Sequence, residues 1–196
     1  MFKFIGKKKS VILVSAVIFV AIVAVISFRL YPIAFVGWQP VIYGNFSKNY
    51  DAEIFYSTKF LSTYNKSNAD IINSLEIRNE IKRDRLEALI EDILISNQLK
   101  VIFSNSELDS QINKNVSAVI EGKDIKKEIE ALYNLSVSEF TKYFLEPQAR
   151  REILEARMRI ENINFNEWLV SEKKAAKVMI FLPGFEWKGG TVIVKK

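Results

Sequence analysis

The pattern of apolar and polar positions divides the chain into three parts. Residues 11–28 form an apolar run without charge, which is long enough for a helix to cross a membrane. From about residue 45 to residue 175, apolar residues recur at intervals of three and four among charged ones, which predicts amphipathic helices. Residues 176–196 contain two short β-rich runs with Pro-Gly and Gly-Gly pairs, which predict a β hairpin.

These parts predict a mainly α protein with four segments. We expect a cytoplasmic basic tail at residues 1–10 and a transmembrane signal anchor at residues 11–31. A helical domain follows at residues 32–175, and it opens with an extended stretch and a short strand at residues 33–36. A short β segment at residues 176–196 ends the chain.

Capping signals divide the helical domain. Two Ser-x-x-Glu sequences, beginning at Ser104 and Ser136, have the form of a capping box, and Asn164 is positioned to cap the last helix. Pro147 predicts a kink or a restart, because proline lacks an amide proton. The predicted helices cover residues 45–64, 69–99, 104–122 and 124–133, a segment from 136, residues 148–162, and a segment from 164.

The longest predicted helix has one apolar and one charged face. Its charged residues alternate in sign at neighbouring helical positions, which indicates a solvated face of ion pairs. The apolar stripe consists of Leu86, Leu89, Ile90, Ile93 and Leu94.

A lysine cluster before the apolar run sets the expected orientation. Lys7, Lys8 and Lys9 precede the run, and residues 1–28 contain no acidic residue. Basic residues beside a span stay in the cytoplasm, so we predict a single-pass protein of the cell membrane whose C-terminal domain is extracytoplasmic. The lipid bilayer is then the partner of residues 11–31. A cleaved signal peptide is the alternative, although its apolar region is usually shorter.

The missing residue types restrict the chemistry. The chain has no cysteine and no histidine. Disulfides, zinc sites of Cys and His, and Ser-His-Asp or Cys-His nucleophile pairs are therefore excluded. The fold must rest on its hydrophobic core, for which a hydrophobic content of 49% is sufficient.

The positive net charge belongs mostly to the N-terminal tail. The chain has 28 basic and 23 acidic residues, and Lys3, Lys7, Lys8 and Lys9 precede the apolar run. Without these four lysines, 24 basic residues remain against 23 acidic ones, so the helical domain is nearly neutral. We therefore predict no nucleic-acid partner.

Paired carboxylates are the only common catalytic arrangement that this composition allows. Two such pairs, Glu91-Asp92 and Glu128/Glu130, lie in predicted helices, where solvated charged faces explain them. We therefore expect no catalytic, cofactor-binding or metal-binding residues, and no enzyme activity.

Three segments share an order and spacing that occur in one known family. The first is an opening strand that leads into a helix, the second is RLEALIEDILISNQLK with FSNSELDSQI, and the third begins with LSVSEF. The matching residues are Ala34, Phe35, Val36, Ile42, Phe46 and Tyr50, then Leu86, Leu89, Ile90, Leu94, Ile95, Ser104, Glu107, Leu108, Asp109 and Ile112, and then Leu135, Ser136, Glu139 and Phe140. Over residues 32–175 the chain resembles the N-terminal, peptide-binding domain of SurA-like periplasmic chaperones.

The resemblance implies peptide binding, and the composition of the chain excludes the family's isomerase site from this expectation. SurA-like proteins often carry parvulin prolyl-isomerase domains whose site uses histidines, and this chain has none. The resemblance therefore implies a membrane-anchored, extracytoplasmic chaperone-like protein that binds unfolded or extended polypeptide segments without isomerase activity. We expect a groove between long helices with apolar and aromatic walls. The alternative is a structural or assembly subunit that docks a folded envelope partner through a flat apolar patch.

Overall fold

The described part of the chain is mainly helical and has two small β-sheets. The computed structural model describes residues 14–15, 17–20, 23–64, 71–121 and 125–195. The predicted mainly helical content and the predicted C-terminal hairpin are both confirmed. The predicted basic tail at residues 1–10 lies outside the described residues.

The predicted membrane span at residues 11–31 is wrong, and the predicted single-pass location at the cell membrane is withdrawn with it. Among the residues that the structure describes, no helix is long and apolar enough to cross a bilayer. The end of the predicted span belongs to the folded domain instead. The Arg29 carbonyl accepts the Gly44 N–H at 2.9 Å, and the Tyr31 ring stacks on Tyr43 with centroids 4.8 Å apart.

The first sheet joins segments from opposite ends of the folded chain. Strands β1 (Pro32–Val36) and β2 (Gln39–Ile42) form a hairpin, and β3 (Val178–Ile180) pairs antiparallel with the other edge of β1. The hairpin turn needs a glycine, because Gly37 has a φ of +58°, which suits the first central position of a two-residue turn. The strand predicted at residues 33–36 is therefore confirmed.

The C-terminal hairpin exists, but one of its strands differs from the predicted one. Strand β4 (Phe185–Lys188) pairs with β5 (Thr191–Val194) through Gly189 and Gly190, which have φ values of +62° and +90°. The apolar run at residues 177–182 was expected to be the first strand of this hairpin. It supplies β3 instead, because the free edge of β1 offers it a partner.

Seven α-helices lie between the hairpin of the first sheet and β3 in the described residues. The start predicted at residue 69 for the longest helix is wrong, because the Ser74 side chain accepts the Ile77 N–H at 3.3 Å and caps the helix there. The helices are α1 (Tyr43–Tyr64), α2 (Leu75–Ile102), α3 (Asn105–Ile120), α4 (Lys126–Tyr133), α5 (Val137–Phe140), α6 (Glu146–Ile160) and α7 (Phe165–Ala175).

The predicted capping residues begin three of these helices. Ser104 and Glu107 form a reciprocal capping box before α3, and Ser136 and Glu139 form a second one before α5. The Asn164 side chain accepts two backbone N–H groups at the start of α7. These predictions succeed because a cap is made within four residues and needs no distant partner.

The predicted interruption near Pro147 takes the form of a π-helical turn. This turn, Thr141–Leu145, lies between α5 and α6, and the Glu146 N–H donates to the Thr141 carbonyl. Pro147 lies in the first turn of α6, where its missing N–H removes no bond within that helix. The chain therefore stays helical through the proline.

Helix α2 contributes to two apolar cores. Near its middle, Leu86 and Ile90 are fully buried against the first sheet and the hairpin. Closer to its C-terminus, Ile95 and Leu99 are buried against α3, α6 and α7. The other residues of the predicted stripe are partly buried beside the sheet: Leu89, Ile93 and Leu94.

The charged face of α2 is solvated only in its first half, where Glu76, Glu80 and Asp84 are exposed, whereas the carboxylates from residue 87 onward are covered. Lys173 of α7 donates to both Glu87 and Glu91, and Arg150 of α6 donates to both oxygens of Asp92, at 2.8 and 2.9 Å. The side chains of these five residues are only 14–22% exposed. Neighbouring elements cover this part of α2, so Glu87, Glu91 and Asp92 pair with cations from other helices.

Hydrogen bonds keep the Glu87–Lys173 pair charged. Burial raises the pKa of Glu87, but bonds from Lys173, the Val192 N–H (3.0 Å) and the Thr191 hydroxyl (2.7 Å) outweigh it and leave that pKa below its ordinary value. Burial lowers the pKa of Lys173, but bonds to Glu87 and Glu91 outweigh it and raise that pKa. The pair thereby attaches both β5 and α7 to α2.

We expect Lys173→Met to lower the free energy of unfolding by about 3 kcal/mol, because Glu87 and Glu91 lose the cation between them. Urea unfolding monitored by circular dichroism measures the change. Lys174→Met is the matched control, since this neighbour is exposed and makes no ion pair in the described part of the chain. Equal losses in both variants would contradict the role of Lys173.

A second ion pair, between Lys48 and Glu139, makes the stability of the fold depend on pH. The Lys48 ammonium, 2.8 Å from Glu139, together with bonds from Ser136, lowers the pKa of Glu139 from 4.5 to about 2. A carboxyl with a lowered folded-state pKa stabilises the fold above its ordinary pKa, and this contribution is lost as the pH falls from about 4.5 towards 2.

We therefore expect Glu139→Gln to be less stable than the wild type near pH 7. The difference should shrink below about pH 4.5 and disappear near pH 2. Urea unfolding of both proteins across this pH range tests the expectation. A difference that stays constant with pH would show that the charge of Glu139 contributes nothing.

Candidate binding surface

The face of the first sheet that points away from α2 is apolar. Phe35 of β1 lies directly opposite Pro40 of β2 and Met179 of β3, and opposite residues of antiparallel strands share a face. Phe181 follows β3 and contacts Phe35 edge to face, with ring centroids 6.0 Å apart. We call these four residues the outer sheet face.

The outer sheet face is exposed, whereas its neighbours on the strand are buried. Met179 and Phe181 are each 58% exposed. Ala34 and Val36, which flank Phe35 along β1, are 0% and 5% exposed and point into the core. A sheet covered on one side usually has polar residues on the other, so an apolar outer face indicates a binding surface.

Trp38 stands at the tip of the β1–β2 hairpin, next to this face. Its side chain is 96% exposed. The hairpin tip is held in place, because the Gly37 N–H donates to the Lys177 carbonyl at 2.8 Å, just before β3. Tryptophan offers a large apolar area and an N–H donor, and it is over-represented among the residues that dominate binding energies.

Outside this face, exposed apolar side chains follow one another in the described part of residues 14–30, and in the described part of residues 32–195 they lie singly along the chain. Val101 is 80% exposed near the end of α2, and Ile160 is 75% exposed at the end of α6. Single exposed apolar residues are normal on protein surfaces, whereas a group on one face is not. Within residues 32–195, the outer sheet face is therefore distinguished by clustering and not by exposure alone.

The groove expected between long helices has a different position and lining. A groove of about 590 Å³ lies between α2 and β5, and Arg83, Asp84, Glu87 and Glu91 give it a charged wall. Most apolar side chains of the helices are buried in the cores, and a smaller pocket of about 180 Å³ between α2 and α6 has Ala88, Ile95 and Pro147 in its lining. The sheet offers a further apolar surface, which is exposed.

The two carboxylate pairs considered from the sequence have different surroundings in the structure. Glu91 and Asp92 each hold a cation from another helix, as ion pairs that stabilise packing do. Glu128 and Glu130 are exposed on α4. Among the described residues, no group of three or more Asp and Glu side chains could hold a metal ion.

Sequence reasoning did not find the outer sheet face. It placed Phe35 in an opening strand without assigning it a face, and it placed Met179 and Phe181 in a strand of the C-terminal hairpin. One signal was available in the sequence KVMIFL, where apolar residues occupy both odd and even positions. Such a strand presents apolar side chains to both faces of its sheet.

Comparisons with known protein families, with curated proteins and with solved structures found no match to this chain. The opening strand, the helix after it and the capped helices that the three sequence segments predict are present in the fold in this order. This order does not identify a family, so the resemblance to SurA-like chaperones stays a prediction that rests on sequence motifs.

We expect acrylamide to quench Trp38 fluorescence more strongly than that of the partly buried Trp168 and Trp187. Trp38→Phe should therefore remove the most quenchable component of the emission. Stern–Volmer plots of the wild type and the variant measure this. An unchanged quenching constant would show that Trp38 is covered in solution.

Proposed function

We propose that the protein binds unfolded or extended polypeptide segments in a chaperone-like manner, without prolyl-isomerase activity. The observation that carries the proposal is the outer sheet face, an apolar strip across three strands with Trp38 at its end. Burying a large apolar side chain against such a strip contributes about 1.5–3 kcal/mol. Two or three client side chains would then contribute about 3–9 kcal/mol, from which the entropic cost of association is subtracted.

The edge of the sheet favours an extended segment. Strand β3 is at one edge of the three-stranded sheet in the described part of the chain. An edge strand has N–H and C=O groups without sheet partners, so a client strand can bond along it. Every second client side chain would then cover Met179 and Phe181, which lie beside that edge.

Apolar contact dominates in this proposal. The outer sheet face consists of uncharged side chains, and the domain after residue 28 is close to neutral. Binding should therefore weaken little between low and physiological salt, unlike binding that depends on exposed charges.

The sequence resemblance also supports the proposal. The three segments similar to SurA-like proteins belong to the family's peptide-binding domain and not to its parvulin domain. The absence of histidine supports the part of the proposal that excludes parvulin-type isomerase chemistry.

A second candidate is a structural or assembly subunit that docks one folded partner. The observation that favours it is Trp38, since a single exposed indole on a fixed hairpin resembles the central anchor of a protein–protein interface. Such a subunit would bind one partner through Trp38 and would not respond to unrelated unfolded chains.

We expect the full chain in molar excess to suppress the aggregation of several unrelated unfolded clients, measured by light scattering. Trp38→Ser and Phe181→Thr should each weaken client binding by about tenfold or more, because each removes an apolar contact. Ile160→Ser is the matched control, since it removes an equally exposed apolar side chain on another element. Proline-limited refolding of a client should not become faster.

Two outcomes would contradict the proposal. Unchanged aggregation across all clients would exclude chaperone-like binding and favour the docking subunit. Equal weakening by Ile160→Ser would show that binding is not located on the outer sheet face. Circular dichroism and thermal unfolding of each variant confirm that it is folded before it is assayed.

A further inference from the structure

A small pocket beside the first turns of α1 combines cations with apolar walls. Its volume is about 240 Å³, enough for a small organic molecule or one amino-acid residue. Two basic side chains, Arg29 and Lys82, line it. The aromatic and aliphatic walls are formed by Tyr43, Phe46, Tyr50, Leu182, Pro183 and Phe185.

Arg29 is held in place at this pocket by three contacts. Its carbonyl accepts the Gly44 N–H, and a Cβ at Gly44 would lie 3.2 Å from that oxygen, so glycine permits the close approach. Its guanidinium donates to the Ser47 hydroxyl at 3.1 Å and lies 5.8 Å from the centroid of the Tyr43 ring. A positioned arginine can bind a ligand without first losing side-chain freedom.

The support for Arg29 is itself buried. Ser47 is 5% exposed, and its hydroxyl donates to the Gly44 carbonyl at 3.2 Å while it accepts from Arg29. Only one of the five N–H donors of the Arg29 guanidinium is used in this bond. The remaining donors can hold a planar anion in the bidentate geometry that arginine favours.

The second cation adds to the positive character of the pocket. The Lys82 ammonium lies 5.7 Å from the centroid of the Tyr50 ring. Within the described residues, neither Lys82 nor Arg29 makes a salt bridge. Asp51 is the one carboxylate in the lining described, and it is exposed, so the pocket has a net positive charge.

We propose that this pocket binds a carboxylate that is attached to a small apolar body. The carboxylate pairs with Arg29 and Lys82, and the apolar body packs against the aromatic walls. The pocket is lined by residues of α1 and α2, by Arg29 before β1 and by residues 182–185, and it shares no residue with the outer sheet face. This proposal is therefore independent of the proposed polypeptide binding.

Two kinds of molecule carry a carboxylate on a small apolar body: a free short-chain acid and the C-terminal residue of a polypeptide. Three probes separate them: Nα-acetyl-leucine, which mimics a C-terminal residue, its neutral amide, and the free acid 4-methylpentanoate. Each is titrated into the full chain, and NMR shifts of the backbone amides of Gly44 and Ser47 report binding.

We expect Nα-acetyl-leucine to bind at least about tenfold more tightly than its amide, because the amide lacks the charge that Arg29 and Lys82 recognise. Equal affinity of 4-methylpentanoate would identify a free acid as a sufficient ligand. Tighter binding of Nα-acetyl-leucine would identify a polypeptide C-terminus. Equal binding of the acid and the amide, or no binding of either acid, would overturn the proposal.

Three variants locate the site. Arg29→Gln and Lys82→Gln should each weaken binding of the carboxylate by about tenfold or more. Arg83→Gln is the matched control, since Arg83 is adjacent to Lys82 but contacts Asp84 and lines the other groove. Unchanged affinity in Lys82→Gln and Arg29→Gln would overturn the assignment, and if Arg29→Gln does not fold, Lys82→Gln decides alone.

Discussion

The carboxylate of Glu87 connects three parts of the chain that are distant in sequence. It lies on α2 and accepts hydrogen bonds from Lys173 at the end of α7 and from Thr191 and Val192 in β5. The position of β5 on α2 and the route of the chain from α7 into β3 both depend on this contact. Because the pair is largely removed from water, its bonds are stronger than those of an exposed pair.

This attachment also determines which surfaces remain exposed. With α7 and the hairpin held on α2, β3 is delivered to the free edge of β1, and the inner face of the sheet closes over Leu86 and Ile90. In the described part of the chain, the helices pack against that inner face. Phe35, Met179 and Phe181 are left on the outside, which is an arrangement that a binding function explains and that folding alone does not require.

Local features of the fold were predictable from the sequence, whereas contacts between distant segments were not. Both capping boxes and the Asn164 cap were located correctly, since each is made between neighbouring residues. The partner of residues 177–182 was assigned wrongly, because the adjacent hairpin and the distant β1 are equally good partners for an apolar strand by composition. Only the position of α7 makes β1 the nearer one.

The ion pairs were likewise predictable only in part, because some of their partners are distant in sequence. Alternating signs along α2 indicated ion pairs, and Arg83–Asp84 is one within the helix. The partly buried carboxylates instead pair with Arg150 and Lys173 on other helices. Hydropathy also placed Arg29 and Tyr31 in the predicted membrane span. In the structure, the Arg29 carbonyl accepts a hydrogen bond from α1, and the Tyr31 ring stacks on Tyr43 of α1.

The sequence by itself determined the helical class, the caps, the turn glycines and the exclusion of cysteine and histidine chemistry, because these depend on residue type and on neighbours along the chain. Only the tertiary structure decided the outer sheet face and the Arg29–Lys82 pocket. Each of these brings together side chains that lie about 50 to more than 140 positions apart, and their meeting depends on how the helices pack.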